Sequence, residues 1–534
     1  MNILKKKLKK VNKVKKVLYF FTSLVFLVTY IYFLIGLLHL SGIETLIRII
    51  VLVFFGIWFV VYLLAGLLAL ISRKTPTFII LTIISLLCTP VFFFGSNIII
   101  KNVGFLNQTQ RDKIEYTSNL IALKETNFTS NSTIGMIETD SDISGNQLAH
   151  KLIAKHNLTN KINTYEDYTS MIRDLYSGKI DACFVSGDYA VIFKNETFEE
   201  TNEENQENVP SIEERVKVLF EYSELMQNQD VQTLEESKTK EITEPFTVLI
   251  MGVDSEKDGL TANQAFNGDT LIMVTFNPDT LTATMFSIPR DLYVPISCNH
   301  NRYAKINSSA AYGSSCVIGT VEQLTGIKID FYLKINFKGV VDLVDVLGGV
   351  TVDVEEPDYN WNAGYNCNGR FCEQNSNREF GDKMIFLDPG VQTLNGEEAL
   401  AYARCRHLYA LSDIARNKHQ QDIIEAMVQK VKQIKSYSDF ENILKTVSRN
   451  IETNMTTEQI LSFYNVGKNI IFNSDPEKDI ALSIKKTQLT YYNLTVWRGY
   501  DASCLGYYKT SLDAITKLMR QNLELEKTVP IKIR

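Results

Sequence analysis

The sequence predicts an α/β protein in three parts: three N-terminal transmembrane helices, a small exterior α/β accessory unit, and a larger domain with a central mixed β-sheet flanked by helices. Three observations carry this prediction. A lysine run precedes three long apolar segments, and polar stretches then divide the remainder. Beyond residue 245, apolar β-branched runs bounded by Gly, Pro and Asn alternate with helical patterns. The implied boundaries are 1–16 for a basic tail, 17–100 for the membrane segments, 101–240 for the accessory unit and its linkers, and 241–534 for the main domain with its C-terminal extension.

Residues 1–16 hold eight lysines and no acid, so a net charge of −6 for the 534-residue chain leaves −14 for the rest. An acidic exterior argues against nucleic acid as a partner, because that binding requires Lys and Arg to neutralise phosphates. Val17–Leu40, Ile49–Ile71 and Thr77–Ile100 are each long enough to span a hydrocarbon core of about 30 Å. The lysine tail and Arg73-Lys74 mark the cytoplasmic side. An odd number of spans then leaves everything after residue 100 outside. The expectation is a multi-pass protein of the cell membrane, with its N-terminus cytoplasmic and a large extracellular C-terminal part. Three full-length spans are unlike a cleavable signal peptide, and Pro90 is expected to kink the third.

Of eight cysteines, Cys88 falls in the third apolar segment and seven lie beyond it. Outside the cell, disulfides are the natural state. Cys367 and Cys372 are spaced to staple a tight loop, and Cys298 with Cys316 to close a longer one. Seven is odd, so at least one thiol is left free or pairs between chains. Among the six histidines none supplies the second closely spaced ligand pair that a zinc site needs.

Residues 101–130 read as a polar connector. In the accessory unit, Ile134–Ile137 and Ile180–Val185 read as strands, and residues 144–156 and 165–177 as helices. This unit suits a scaffold or docking role at least as well as ligand binding. The acidic stretch 198–209 and the polar stretch 228–243 read as loops. In the main domain, strands are predicted at 246–252, 270–277, 282–288 and 330–336. Helices are predicted at 315–325, 337–347, 396–403 and 413–434, the last beginning beside Ser412, a good N-cap residue.

The chemistry concentrates in residues 402–421. Arg404, Arg406 and Arg416 surround a single acid, Asp413, with Gln420 following. Arginine presents a planar, permanently charged fork that matches phosphate oxygens. Three arginines to one acid exceed what a structural ion pair needs, although surface arginines flanking a helix are the plain alternative. Asp254 follows the first strand and Asp269 precedes the second. Paired carboxylates at strand ends suit Mg²⁺ or Mn²⁺, whereas either one alone is ordinary turn chemistry. Arg290-Asp291 ends the third strand, where α/β folds place their sites, and its alternative is a surface ion pair of little value. Lys305 is a further candidate cation. His300, His407 and His419 form no recognisable nucleophile–base arrangement.

These residues fall within ordered motifs. They are Leu-Ile-Met-Gly-Val-Asp-Ser, Gly-Asp-Thr-Leu-Ile-Met-Val-Thr, Ser-Ile-Pro-Arg-Asp-Leu-Tyr-Val, Lys-Ile-Asn-Ser-Ser, Gly-Gly-Val-Thr-Val-Asp-Val, Leu-Asn-Gly-Glu-Glu-Ala-Leu-Ala-Tyr-Ala-Arg-Cys-Arg and Asp-Ile-Ala-Arg-Asn-Lys-His-Gln-Gln. Through them the region from about Phe246 to Ile434 resembles the LytR-CpsA-Psr (LCP) family of cell-wall glycopolymer transferases. Three spans followed by an extra exterior unit look like its capsule-associated branch. The resemblance implies an α/β domain that receives a polyprenyl-pyrophosphate-linked glycan and transfers it to peptidoglycan. It implies that Asp254 and Asp269 hold Mg²⁺, and that Arg290, Arg404, Arg406 and Arg416 clamp the pyrophosphate with support from Asp413 and Gln420. It also implies an apolar tunnel for the lipid, for which the 337–347 helix and nearby strands are candidate walls, with core packing as their default explanation. Capsule or wall assembly proteins would be further partners. The chain departs from the pattern at Cys405, Asn417 and Lys418.

The implied chemistry is phosphoryl transfer, which relies on positioning and charge neutralisation. Asp291 or Asp413 would serve as general base. Two other readings compete: a non-enzymatic membrane regulator or scaffold of capsule polymer assembly and export, and simple hydrolysis of the pyrophosphate at the same site. The small cytoplasmic portion disfavours a transcriptional role.

Overall fold

A computed structural model of the chain describes residues 13–39, 45–71, 75–107, 113–140, 142–187, 189–193, 211–227, 242–253, 260, 268, 270–358, 367, 369–377, 383–431, 437–456, 459–460, 482–497 and 501–526. Several sequence readings lie outside these residues: the basic tail through residue 12, Arg73 and Lys74, the acidic 198–209 loop, residues 228–241, and both Asp254 and Asp269. The chain forms two compact units, residues 1–108 with 456–466, and residues 109–455 with 467–534.

The first unit contains helices Lys13–His39, Thr45–Ile71 and Thr75–Asn107, one for each predicted apolar segment. Among the described residues, one of them is long and apolar enough to cross a membrane, through Phe20–Leu37. The apolar runs Leu52–Leu68 and Thr82–Asn97 of the other two are shorter. Phe26, Tyr30, Tyr62 and Phe92 are buried together, whereas Phe20, Phe54, Leu87 and Val91 are exposed. A Cβ at Gly36 would meet Ser96 Oγ at 2.7 Å, so glycine permits the close approach of the first and third helices. Pro90 lies inside the third helix.

The second unit begins with a five-stranded sheet. Its strands are β1 (Lys113–Leu123), β2 (Thr133–Ile137), β3 (Lys161–Tyr165), β4 (Ala182–Ser186) and β5 (Val216–Gln227), in the order β3-β2-β4-β1-β5. This corrects the connector reading of 101–130. β1 is an interior strand whose Leu120, Ile121 and Ala122 are fully buried, with the polar Ser118 and Asn119 beside them. The predicted 165–177 helix is also corrected. Tyr165 ends β3, and the helix runs Tyr168–Tyr176 because Asp167 caps it, accepting from the Ser170 amide at 2.8 Å.

Asp142 caps the π-helical turn Ile143–Gln147 that precedes helix Leu148–His156. Its carboxylate accepts from the Gly145 amide at 2.6 Å and from the Tyr168 hydroxyl at 2.7 Å. Complete burial raises this carboxyl from 3.8 to about 6, against the lowering effect of those hydrogen bonds. The group titrates higher when folded than when unfolded. Its contribution to stability is therefore complete below the unfolded value and is lost as pH rises through about 6, a change of about 3 kcal/mol. Asp142→Asn is expected to flatten that slope. Hydrogen exchange at the β2 amides of the full chain between pH 4 and 7 measures it, and an unchanged slope in the variant would refute the assignment.

The main domain follows in the same unit, opening with β6 (Phe246–Val253), β7 (Thr270–Asn277), β8 (Thr282–Ile288), the hairpin β9 (Tyr293–Ile296) and β10 (Arg302–Lys305), and β11 (Phe331–Asn336). Two small antiparallel pairs come next: β12 (Val350–Val354) with β15 (Gly390–Leu394), and β13 (Phe371–Glu373) with β14 (Ile385–Leu387). β16 (Ile451–Thr453), β17 (Ser483–Gln488) and the hairpin β18 (Tyr491–Trp497) and β19 (Asp501–Tyr507) complete the strands. The central sheet is mixed and six-stranded, in the order β16-β11-β6-β7-β8-β17, with β6–β11 and β8–β17 parallel. β7 and β8 coincide with their predicted spans, and β6 and β11 differ by one residue.

Alternation along these strands builds two faces. Leu249, Met251, Val253, Leu271, Met273 and Phe286 pack with helices Ser314–Thr325 and Lys509–Asn522 into one core. Ile250, Ile272, Leu333 and Ile335 point to the other face, below helices Phe337–Val346, Gly396–Arg404 and Ser412–Val431. Cys298–Cys316 and Cys367–Cys372 form the two expected disulfides, while Cys183, Cys405 and Cys504 are free and buried. Closing a loop of 18 residues constrains the unfolded chain by about 3 kcal/mol.

Candidate functional site

On the second face of the sheet lies a cavity of about 540 Å³. Its floor is Ile250, Ile272, Leu333 and Ile335, and its walls come from three helices. The Phe337–Val346 helix lays Phe337, Val340 and Leu343 toward the cavity, with Leu347 just beyond its end, and turns Val341 and Val344 into the core. Asn336 caps this helix, accepting from the Gly339 amide at 2.7 Å. The Ser412–Val431 helix contributes Arg416, Gln420, Ile423, Ile424 and Met427, one continuous stripe at helical spacing.

The polar end of the cavity is set by the Gly396–Arg404 helix. It starts at a capping box, with Asn395 accepting from the Glu398 amide at 3.0 Å and Glu398 accepting from the Asn395 amide at 2.8 Å. Only glycine fits at 396, because a Cβ would collide with the Val341 carbonyl, and the Gly396 amide donates to Asp345 at 2.7 Å. This close seating carries Arg404, in the last turn, to the cavity, where its guanidinium lies 4.8 Å from the Phe337 ring centre.

Arg404, Arg406, His407, Arg416 and Gln420 line the same end. Asp413 organises it: Arg416 Nη2 approaches its Oδ1 at 3.1 Å and Arg406 Nη1 at 3.8 Å. The Arg416 side chain is only 8% exposed, so its charge acts in a medium of low polarity. Gln420 Nε2 donates to Thr270 Oγ1 at 3.1 Å, tying the helix to the start of β7. Gln421 Nε2 donates to Ser287 Oγ at 2.9 Å and to the Thr487 carbonyl at 3.1 Å.

Glu373 also lines this end, and sequence reasoning did not single it out. It is buried and meets His407 Nε2 at 3.1 Å. Burial alone would raise its carboxyl, but the His407 contact and the Arg404 charge hold it below the usual range. Cys405 is buried among Phe371, Tyr402 and Leu408, and burial together with the Glu373 charge pushes its thiol up, so it stays protonated. Of the departures from the family pattern, Asn417 is buried and Lys418 pairs with Glu355 at 2.9 Å. His419 stacks on Tyr402 with ring centres 4.0 Å apart, and burial lowers its pKa, which keeps it neutral.

Arg290, Asp291 and Lys305 form a second cluster outside this cavity. Asp291 Oδ1 meets Lys305 Nζ at 2.9 Å and its Oδ2 meets Arg290 Nε at 3.4 Å. Burial would raise the Asp291 carboxyl, yet Lys305 and Arg290 outweigh it and hold the group below its ordinary value. Tyr491, at the start of β18, links the two clusters: burial, then the Asp413 charge, then that of Asp291 raise its hydroxyl, against the opposing charge of Arg416. Tyr491 came from a C-terminal region with no motif to mark it. Asp254 and Asp269 lie outside the described residues, but β6 and β7 pair so that Gly252 is opposite Thr270.

The mixed sheet thus carries on one face an apolar cavity that ends on three arginines. The chain belongs to the LytR_cpsA_psr family, which residues 211–521 match. It is 34% identical over 225 residues to biofilm regulatory protein A of Streptococcus mutans, a match covering 40% of this chain and 50% of that protein. It is 35% identical over 218 residues to the polyisoprenyl-teichoic acid–peptidoglycan teichoic acid transferase TagU of Bacillus licheniformis, covering 41% and 62% respectively. Among solved structures, TagV of B. subtilis matches with 28% identity and a TM-score of 0.42, over 53% of this chain and 98% of that one. The chain thus spans 50% and 62% of the lengths of these two curated relatives.

Proposed function

We propose that the chain is a membrane-anchored phosphotransferase that attaches a polyprenyl-pyrophosphate-linked glycopolymer, of capsule or teichoic-acid type, to peptidoglycan outside the cell. The observation that carries this reading is the apolar cavity ending on Arg404, Arg406 and Arg416: a polyprenyl chain matches its walls and a pyrophosphate its mouth. The name of the B. licheniformis relative supports the same substrate class. The three N-terminal helices, arranged as a multi-pass anchor with a cytoplasmic N-terminus, would tether the chain to the membrane that carries the lipid donor.

Asp254 and Asp269 directly follow β6 and precede β7, and two carboxylates are a hard donor set suited to Mg²⁺ or Mn²⁺. A metal ion held there would neutralise charge on the pyrophosphate. The three arginines hold its oxygens, Asp413 fixes Arg406 and Arg416, and Gln420 braces the helix against β7. In the transfer, an acceptor sugar hydroxyl oxygen bonds to the glycan-bearing phosphorus. The bond from that phosphorus to the bridging oxygen breaks, and polyprenyl phosphate leaves with that oxygen. Asp291 or Asp413 receives the hydroxyl proton, and Arg290 and Lys305 keep Asp291 ionised. Water in place of the sugar would give pyrophosphate hydrolysis as a side reaction.

The full-length protein in detergent, supplied with Mg²⁺ and a lipid-linked glycan, is expected to release polyprenyl phosphate, and EDTA to stop the release. No release with metal present would overturn the reading.

A further inference from the structure

Glu373, Cys405 and His407 come together at the arginine end of the apolar cavity and take no part in the clamp. Their donor atoms, a carboxylate oxygen, the thiol sulfur and a ring nitrogen, all lie within 4.8 Å of one another. Glu373 Oε2 and His407 Nε2 are 3.1 Å apart. Ligands held at about 2.0–2.3 Å from a tetrahedral ion stand about 3.3–3.7 Å from one another, so a closure of about 1 Å suffices. Cys405 and His407 follow the Gly396–Arg404 helix, whereas Glu373 comes from β13. Spacing along the chain therefore could not reveal the set, and the fold supplies the zinc-type ligands that the histidine spacing did not predict.

The surroundings suit an ion. Burial and the Glu373 charge favour the Cys405 thiol, but the backbone amides of Leu408 and His407 donate hydrogen bonds to its sulfur, which favour the thiolate. Glu373 Oε1 accepts from the Gln374 amide at 2.9 Å, which orients the carboxylate with Oε2 toward His407. Access is from the cavity. Glu373 and His407 line it, the His407 side chain is 36% exposed, and the buried Cys405 stands behind them as the innermost ligand. The charges also balance. One thiolate and one carboxylate cancel a divalent ion, so a filled site adds no net charge beside Arg404 and Arg406.

We propose that Glu373, Cys405 and His407 bind a Zn²⁺ ion whose fourth position opens to the cavity. Sulfur and imidazole donors select zinc over magnesium, which takes oxygen ligands. Three protein ligands with one open position are the arrangement of a zinc ion that meets a substrate, whereas structural zinc is fully enclosed by protein ligands. On binding, the thiol proton leaves to solvent and His407 coordinates through an unprotonated Nε2. The Glu373–His407 contact gives way to two bonds to the metal. This site is separate from Asp254 and Asp269. It stands on its own geometry; that its open position receives a phosphate oxygen rests on the transfer reading above.

Cobalt(II), which reports thiolate ligation in its spectrum, tests the site in full-length protein in detergent, stripped with EDTA and kept free of oxygen. Bound Co²⁺ is expected to show a sulfur-to-cobalt charge-transfer band and the intense visible bands of a tetrahedral ion. Zn²⁺ should displace it, and excess Mg²⁺ should not. Cys405→Ser is expected to lose the charge-transfer band. His407→Ala should weaken binding by about a hundredfold or more, since even outer-shell partners are worth about 10–100-fold. His407 is partly exposed, so its variant keeps the test open if Cys405→Ser fails to fold. Absence of the band, its retention in Cys405→Ser, or unchanged affinity in His407→Ala overturns the site and leaves the cluster as a hydrogen-bonded trio. Inorganic pyrophosphate added to the cobalt form should shift the visible bands, and an unmoved spectrum overturns the open position. Polyprenyl phosphate release with Mg²⁺ but no cobalt spectrum overturns the zinc site alone, whereas a cobalt spectrum without release supports the zinc site and overturns the transfer reading.

Discussion

Arg416→Ala is expected to lower the rate of polyprenyl phosphate release by about 10²–10³-fold, the usual effect of deleting one preorganised donor at a site of developing charge. The magnitude follows from its surroundings. Arg416 is nearly buried and directed by Asp413 at 3.1 Å, so its charge is weakly screened and needs no reorganisation. Removing it also leaves Arg406, at 3.8 Å, as the ion-pair partner of Asp413 among the described residues. Arg416→Lys keeps the charge but not the planar fork and should recover only part of the rate. Lys418→Ala, on the same helix but paired with Glu355, serves as the control and should be close to unchanged. Single-turnover kinetics at saturating donor, with thermal unfolding measured alongside, would read these differences. If Arg416→Ala kept more than about a tenth of the rate, the clamp would have to be reassigned.

The arginine cluster was legible because it is local. Arg404, Arg406, Asp413 and Arg416 occur within one helix-turn-helix stretch, and helical spacing alone places Arg416 above Gln420. Strands β7 and β8 were legible for the same reason, being continuous apolar, β-branched runs. The unread features depend on contacts distant in sequence. Glu373 sits in a three-residue strand, and only the fold brings it to the cavity and to His407. Tyr491 gains its position from the β18–β19 hairpin, whose Leu505 amide bonds to the Asp291 carbonyl at 2.9 Å. β1 looked like a connector because it opens with Lys-Ile-Glu-Tyr-Thr-Ser-Asn. Pairing on both edges, with β4 and β5, buries Ser118 and Asn119 despite their polarity. Tertiary context overrides composition there.

Val340→Trp is expected to raise KM for a long-chain polyprenyl donor by about tenfold or more, since even one methylene in an apolar pocket is worth about 1–3 kcal/mol. Val340 lies on the cavity side of the Phe337–Val346 helix, half-buried between Phe337 and Leu343, while Val341 and Val344 of the same helix serve the core. An indole at 340 therefore enters the cavity, not the packed interior, and the fold should tolerate it far better than the same change at Val344. The arginines remain in place, so kcat with donors short enough to avoid the obstruction should be little affected. The discriminating measurement is KM against prenyl length in the wild type and the variant. A penalty that grows with chain length places the lipid between this helix and the sheet. A penalty independent of length would mean that the tail leaves the arginine mouth in another direction, and that the cavity walls serve only to pack the fold.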